Sequence, residues 1–338
     1  MRLPRGLPEK PVAQAAALLA LHRLHAASEA AKLLAKASDP EALHDLRVGL
    51  RRLRVVVRAY APSFEGALKR KTVKALRRLA KDTNSARDAE VLEGMLKAWG
   101  KDLHPSRKPG FDALLAKARK SAPEDGRAFI SSACRDFTAL EAGLREDLSA
   151  LAAGPPAETE TFGERSADRL RQASRLLAAG LRAIQEPSDD EHIHEARIAG
   201  KGLRYLLEPF LSRSFLCRKA VGHLKKLQDD LGTMHDLNLL LKACRRCAKK
   251  AASSWAVGLV EAEAGRAGRP GRAASNSPDN PVPGLVHAAC LARQERLAAF
   301  KRFTTRWDPA KTGSFFREVE DAASILVGRM VPQQDRTS

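Results

Sequence analysis

The sequence predicts an all-α protein, and three observations carry that reading. The chain is rich in Ala, Leu and Arg, and it has few runs of β-branched or aromatic residues. Its apolar residues recur at intervals of three and four rather than two. One pattern, His-x-x-Arg-x-x-x-basic-x-x-Arg, appears twice in helical period, at His44 and again at His194. With 338 residues, 44% of them hydrophobic, the chain can build a packed core.

The first element follows the early basic residues. The stretch from about residue 11 continues in helical period through Ala27–Ala37, so it reads as a first helix rather than a signal peptide. Asp39-Pro40 breaks it. The next helix holds His44 to Arg58, opened by a capping box of Ser38 with Glu41. Pro62-Ser63 ends it, and residues 69–81 form a basic helix. Breaks are expected at 82–84, 104–110 and Pro123, with a linker at 152–160. The second half repeats the order. Ser188 and Glu191 stand before His194 as Ser38 and Glu41 stand before His44. Breaks follow at 212–214 and Gly232-Thr233. Residues 265–284, rich in Gly, Pro, Ser and Asn, read as a disordered loop with three solvated Arg residues, and Asp308-Pro309 marks a last break.

The repeat reaches further than the His motif. Residues 76–92 align with 224–240, matching Leu76 to Leu224, Leu79 to Leu227 and Asp88 to Asp236. A shared order of motifs, about 150 residues apart, argues for two copies of one helical unit. The boundaries expected are 1–155 and 156–330.

Charge points to the partner. Lys and Arg outnumber Asp and Glu by 59 to 40, a formal net charge of +19. Such an excess calls for a polyanion: nucleic acid, an anionic membrane or polyphosphate. Aromatics are only 5% of the chain, which disfavours base stacking and favours a partner read through its phosphates. No apolar run reaches the roughly 18 residues of a membrane span. The odd number of cysteines, five, suggests a reducing compartment.

At about 100° per residue, His44, Arg47, Arg51, Arg54 and Arg58 share one stripe of the second helix, while Leu43, Leu46, Leu50, Leu53 and Val57 form the core-facing one. From His44 to Arg58 the stripe runs about 21 Å at about 1.5 Å per residue. His194, Arg197, Lys201 and Arg204 share a stripe in the second copy, where Glu208 is an exceptional acid. On the 69–81 helix, Arg70, Lys74, Arg77 and Lys81 share a face, and this face and the Arg stripe are expected to wall a groove. The second copy offers Arg218, Lys219, Lys225 and Lys226, with Gly222 in place of Lys74. A line of cations fits a linear polyanion better than a single phosphate, and the planar fork of Arg donates two parallel hydrogen bonds to phosphate oxygens. His44 and His194 admit three roles: phosphate contact, orientation of neighbours, or catalysis. Cys244 and Cys247 form a lone Cys-x-x-Cys in a helical stretch, a poor zinc site. No phosphate-cradling loop, nucleophile elbow or His-Glu-x-x-His stands in the chain, so no catalytic residue, metal or cofactor is expected.

At residues 43–54, 85–92, 193–208 and 227–240 the chain resembles the CHAD family, the conserved-histidine α-helical domain, across about residues 10–330. The resemblance implies two four-helix-type bundles related by pseudo-two-fold symmetry, with a basic groove or pore between them. It implies binding of inorganic polyphosphate and association with polyphosphate granules; a cytoplasmic, non-enzymatic protein is the expectation. By motif position the ligands would be His44, Arg47, Arg51, Arg54, Arg58, His194, Arg197, Lys201 and Arg204, with Lys74, Arg77, Arg78, Lys225 and Lys226 from the flanking helices. The Glu-x-Glu-x-Lys signature of the triphosphatase domains sometimes fused to this family is absent. A nucleic-acid binder using the same stripes is the alternative, with nucleic acid otherwise a weaker competitor.

Overall fold

Apolar periodicity becomes ten α-helices in a computed structural model, which describes residues 3–4, 6–37, 40–121, 126–156, 158–261 and 280–328. The helices are α1 (Val12–Ala37), α2 (Pro40–Ala59), α3 (Arg70–Trp99), α4 (Lys108–Ser121), α5 (Gly126–Ala153), α6 (Phe162–Ala183), α7 (Asp190–Leu207), α8 (Phe215–Glu261), α9 (Val282–Arg306) and α10 (Pro309–Leu326). Among the described residues there is no strand, only one isolated bridge between Pro11 and Thr161 that ties the entry of α1 to that of α6.

Helix α1 packs on α2 and α5, α2 on α3, and α3 on α5 and α4. In the second half α6 packs on α7 and α10, α7 on α8, and α8 on α10 and α9. Across the halves α1 meets α6, α2 meets α7, α3 meets α8 and α4 meets α9. The connection from α5 to α6 falls where the linker is expected. One core nevertheless runs through both sides of it, joining Leu50 and Leu53 of α2, Leu144 of α5, Leu177 of α6, Leu203 of α7 and Val319 of α10. A second, smaller core joins Leu96 of α3 and Leu114 of α4 to Leu240 of α8 and Leu285 of α9. The apolar stripe read on α2 is buried as expected: Leu43, Leu46, Leu50, Leu53 and Val57 all lie in the main core.

Several expected boundaries are corrected. Helix α3 runs unbroken through 82–84, where the Thr83 hydroxyl donates back to the Leu79 carbonyl at 2.9 Å. Helix α8 runs unbroken through Gly232-Thr233, held by buried Leu231 and Met234. A helix-interior Gly costs only about 1 kcal/mol, which such packing overrides. Residues 282–284, read as the end of a loop, open α9. Gly284 is there for close approach: a Cβ on it would lie 2.0 Å from the Arg107 carbonyl oxygen and 2.8 Å from the Gly110 Cα. The rest of that loop, 265–279, lies outside the described residues, as do Ser38 and Pro123. The capping box expected at Ser188 and Glu191 does not form. Asp189 takes the position before α7, and its carboxylate accepts instead from the amides of Gln185 at 2.6 Å and Glu186 at 2.9 Å. A complete capping box opens α6, between Thr161 and Glu164.

Candidate functional site

The stripe on α2 divides along its length. His44, at the start, is exposed. Arg47 is 4% exposed, and its two terminal nitrogens donate to Glu90 of α3 at 3.3 and 3.4 Å. The sequence put Arg47 among the ligands; the fold sets it behind the open stripe, as a strut between α2 and α3. Arg51 and Arg54 are half-buried and Arg58 is exposed.

At the C-terminal end of α2 a cavity of about 460 Å³ opens beside the start of α3. Arg54, Arg58, Arg70 and Arg77 line it over a floor that includes Val57, Leu68, Val73 and Leu76, and Glu65 is its one acidic lining residue. None of the ion pairs among the described residues includes any of these four arginines. Burial, then the charges of Arg58, Arg51 and Arg77, pull the Arg54 guanidinium below its ordinary value. Lys74 and Lys81, exposed on α3, extend the same helix face as Arg70 and Arg77.

The stripes of the two copies meet where α2 contacts α7. The Lys201 amine of α7 is pushed down to about 7, first by burial and then by the charges of Arg197, Arg51 and Arg204, with Asp236 pulling the other way. Arg51 in that group comes from α2. Arg58 also reaches α7: a Cβ on Gly202 would lie 4.0 Å from its Nη2. Helix α8 adds a residue that sequence reasoning left out of the site. The His235 ring lies 5.0 Å from that of His194, centroid to centroid. Burial, then Arg197, His194, Lys201 and Lys242, push His235 down to about 4, so it is neutral at pH 7. The signal was its place immediately before Asp236 in the repeated motif. Gly232 sits one turn earlier, and a Cβ there would stand 4.0 Å from Arg197 Nε.

The far end of the second stripe is closed by an acid. The Glu208 side chain is 9% exposed and is surrounded by Arg23 of α1, Arg52 of α2 and Arg204 of α7. Arg52 donates to it from Nη2 at 3.1 Å, Arg23 from Nη2 at 3.4 Å, and Arg204 Nε stands 3.6 Å away. Arg204 also donates to the Tyr205 hydroxyl at 3.1 Å and lies over that ring, 4.8 Å from its centroid. Sequence reasoning missed Arg23 and Arg52. Each is about 150 or more residues from Glu208, and neither is one of the recurring basic positions of the repeated motif.

Two predicted residues stand elsewhere. Arg78 faces α5, beside Asp136 and Leu140. Lys226 faces α9 and α10, in a cavity with Arg306 and Glu318. The fold therefore separates both from the stripes, whereas Lys225, at the repeat position of Arg77, is exposed on α8. The lone Cys pair is packing: Cys244 is buried in the second core, where burial pushes its thiol up to about 11, and Cys247 packs against that core. No group of three potential metal ligands occurs among the described residues.

Among the described residues the fold is all-helical, and it gathers Arg54, Arg58, Arg70 and Arg77 around one cavity. The chain is a member of the CHAD domain family, whose pattern matches residues 15–245, more than half of its length. The crystal structure of the CHAD domain from the plant Ricinus communis superposes with a TM-score of 0.58 at 20% identity, over 91% of each chain. No curated protein matches the chain. No helix among the described residues is long and apolar enough to cross a membrane.

Proposed function

We propose that this protein binds inorganic polyphosphate, along a basic groove formed where two pseudo-symmetric four-helix-type halves face each other. The observation that carries the reading is the row of cations from Arg54, Arg58, Arg70 and Arg77 at one end, through Arg51, to Lys201 of the other copy. Cations crowded together repel one another, and an external polyanion relieves that repulsion. The repeated order of helix contacts, α1 with α2 and α5 against α6 with α7 and α10, supports the two-half architecture. His44 and His194 sit at the open ends of the stripes as hydrogen-bond donors to phosphate. The role is binding rather than catalysis, and it fits a cytoplasmic protein held on polyphosphate granules.

Titration with a long polyphosphate at several salt concentrations tests this. On DNA each phosphate contact contributes about −0.9 to the slope of log K against log salt. By analogy, the slope here is steeper than about −4, and polyphosphate displaces nucleic acid far better than the reverse. A flat salt response, or easy displacement by nucleic acid, overturns the reading.

A further inference from the structure

A second surface, between α8 and α9, carries a different chemistry. Helices α8 and α9 leave between them a groove of about 480 Å³. Its floor is apolar, with Leu241 and Ala248 from α8 and Leu285, Val286 and Ala289 from α9. Its rim is basic, with Arg245 and Arg293 exposed and in no ion pair among the described residues. No acid lines it. The apolar track does not stop where α9 begins. Leu241, Ala248 and Trp255 recur at intervals of seven, so they share one face of α8. Trp255 is 53% exposed on α8, and Val282 and Val286 are exposed on α9. From Leu241 to Trp255 the track is about 21 Å long at about 1.5 Å per residue.

We propose that this groove docks an acidic amphipathic helix of a partner protein, about four turns long, with its apolar side on the Leu241–Trp255 track and its carboxylates on Arg245 and Arg293. Helix-in-groove recognition needs a concave apolar strip and flanking charges of sign opposite to the ligand's, and both are present. The charge decides among occupants. A second copy of this chain brings its own basic rim and a net charge of +19, so it is repelled. The chain's own residues 262–279 hold Arg266, Arg269 and Arg272 and no Leu, Ile, Val, Phe or Met, so they lack both the charge and the anchors. A polyphosphate chain meets three lining arginines here, one of them held by Asn238, against four in the cavity between α2 and α3.

The test uses the full chain and three synthetic 16-residue peptides followed by fluorescence anisotropy. The first carries Leu at positions i, i+4, i+7 and i+11 with Glu on its flanks. The second has Lys for each Glu, and the third has Ser for each Leu. The first binds, and the other two bind at least tenfold more weakly. Val286→Asp and the pair Arg245→Glu with Arg293→Glu each weaken the first peptide at least tenfold, while polyphosphate affinity and melting temperature stay unchanged. Trp255→Ala weakens it less, by about threefold. Equal binding of the Lys or Ser peptide overturns the proposal. So does a concentration-dependent dimer abolished by Val286→Asp, a large gain in peptide affinity on deleting 262–279, or capture by phosphatidylglycerol vesicles without binding of the first peptide. Because the variants spare the stripes, failure here leaves the polyphosphate reading standing, and loss of polyphosphate binding elsewhere leaves this one standing.

Discussion

The two copies end their stripes in opposite ways. At the repeat position where α2 carries Arg58, the second copy carries Glu208. In the first copy Arg54 sits among Arg58, Arg51 and Arg77, and no ion pair among the described residues reaches it. In the second, Arg204 leans on Glu208, which also gathers Arg23 and Arg52. One exchange of sign separates an open cluster of arginines from a closed internal network. The same helix face is thus left open in one copy and tied by ion pairs in the other. A buried ion network fixes α1, α2 and α7 to one another, and its strength depends on every member being present.

The largest effect separates the two ends by ligand affinity. Replacing Arg54, Arg58 and Arg77 together with Gln removes the open cations without touching a core side chain. Each charged hydrogen bond is worth about 1.5–3 kcal/mol, and solvent screening at this half-exposed site reduces the sum. Long-chain polyphosphate therefore binds at least about 100-fold more weakly, measured by calorimetry. Arg204→Gln, which disturbs a guanidinium already occupied by Glu208, costs less than about fivefold. Equal losses at the two ends break the comparison.

The next effect appears in stability. Glu208→Gln keeps the shape and removes the charge, leaving three guanidiniums packed together. Losing one partner of a fully buried pair costs about 3–5 kcal/mol, and the partial exposure of Arg52 lowers that to about 2 kcal/mol. The melting temperature falls by roughly 4 °C at about 2 °C per kcal/mol for a chain of this size. Polyphosphate then recovers more of the melting temperature in the variant than in the native protein, because Arg52 and Arg204 have been released. An unchanged melting point shows that Glu208 holds nothing together.

A smaller effect follows from pH, at the place where the copies meet. The Lys201 amine is pushed down from 10.5 to about 7 in the fold, so between those values the unfolded chain holds a proton that the folded chain does not. Stability contributed by this group rises with pH across that window. Ligand binding runs the other way. A phosphate chain favours the charged amine, so binding takes up a proton above about pH 7, and affinity falls several-fold between pH 7 and 9. Lys201→Arg stays charged and flattens the profile. His235, pushed down from 6.5 to about 4, makes stability fall as the pH drops through that interval. An affinity that is level from pH 7 to 9 in the native protein removes Lys201 from the site.

What the sequence made legible was what periodicity carries. The burial of Leu46, Leu50 and Leu53, and the outward placing of Arg51, Arg54 and Arg58, follow from angles along one helix. What it hid depends on partners distant in the chain. Arg47 looked like its stripe-mates until Glu90, 43 residues on, took both of its terminal nitrogens. The Glu208 network draws on Arg23 and Arg52, 185 and 156 residues away. Glycine misled for a related reason. Gly232 and Gly284 signal a break locally, yet both lie in helices; at Gly284 a neighbouring backbone approaches closely, while at Gly232 only the Arg197 side chain comes within 4.0 Å of a Cβ. Local polar competition misled at Ser188, where the carboxylate of Asp189 accepts the free amides of the preceding turn.

The smallest effect is the sharpest check on which side of α3 and α8 faces the ligand. Arg77 and Arg78 are neighbours in sequence, but successive helical residues diverge by about 100°. Arg77 lines the cavity with Arg54, while Arg78 stands beside Asp136 of α5. Lys226 likewise points to Arg306 and Glu318 in the second half. Replacing Arg78 and Lys226 together with Gln removes as much charge as replacing Arg77 and Lys225 together. A ligand held by specific contacts along one face distinguishes the two pairs, whereas one held only by net charge does not. The first pair of changes shifts polyphosphate affinity less than about twofold at 0.15 M salt, where the Debye length of about 8 Å screens charges on the far side of a helix. The second pair costs roughly tenfold. Equal losses from the two pairs, measured in the same titration, show that the copies present a diffuse positive field rather than an ordered face.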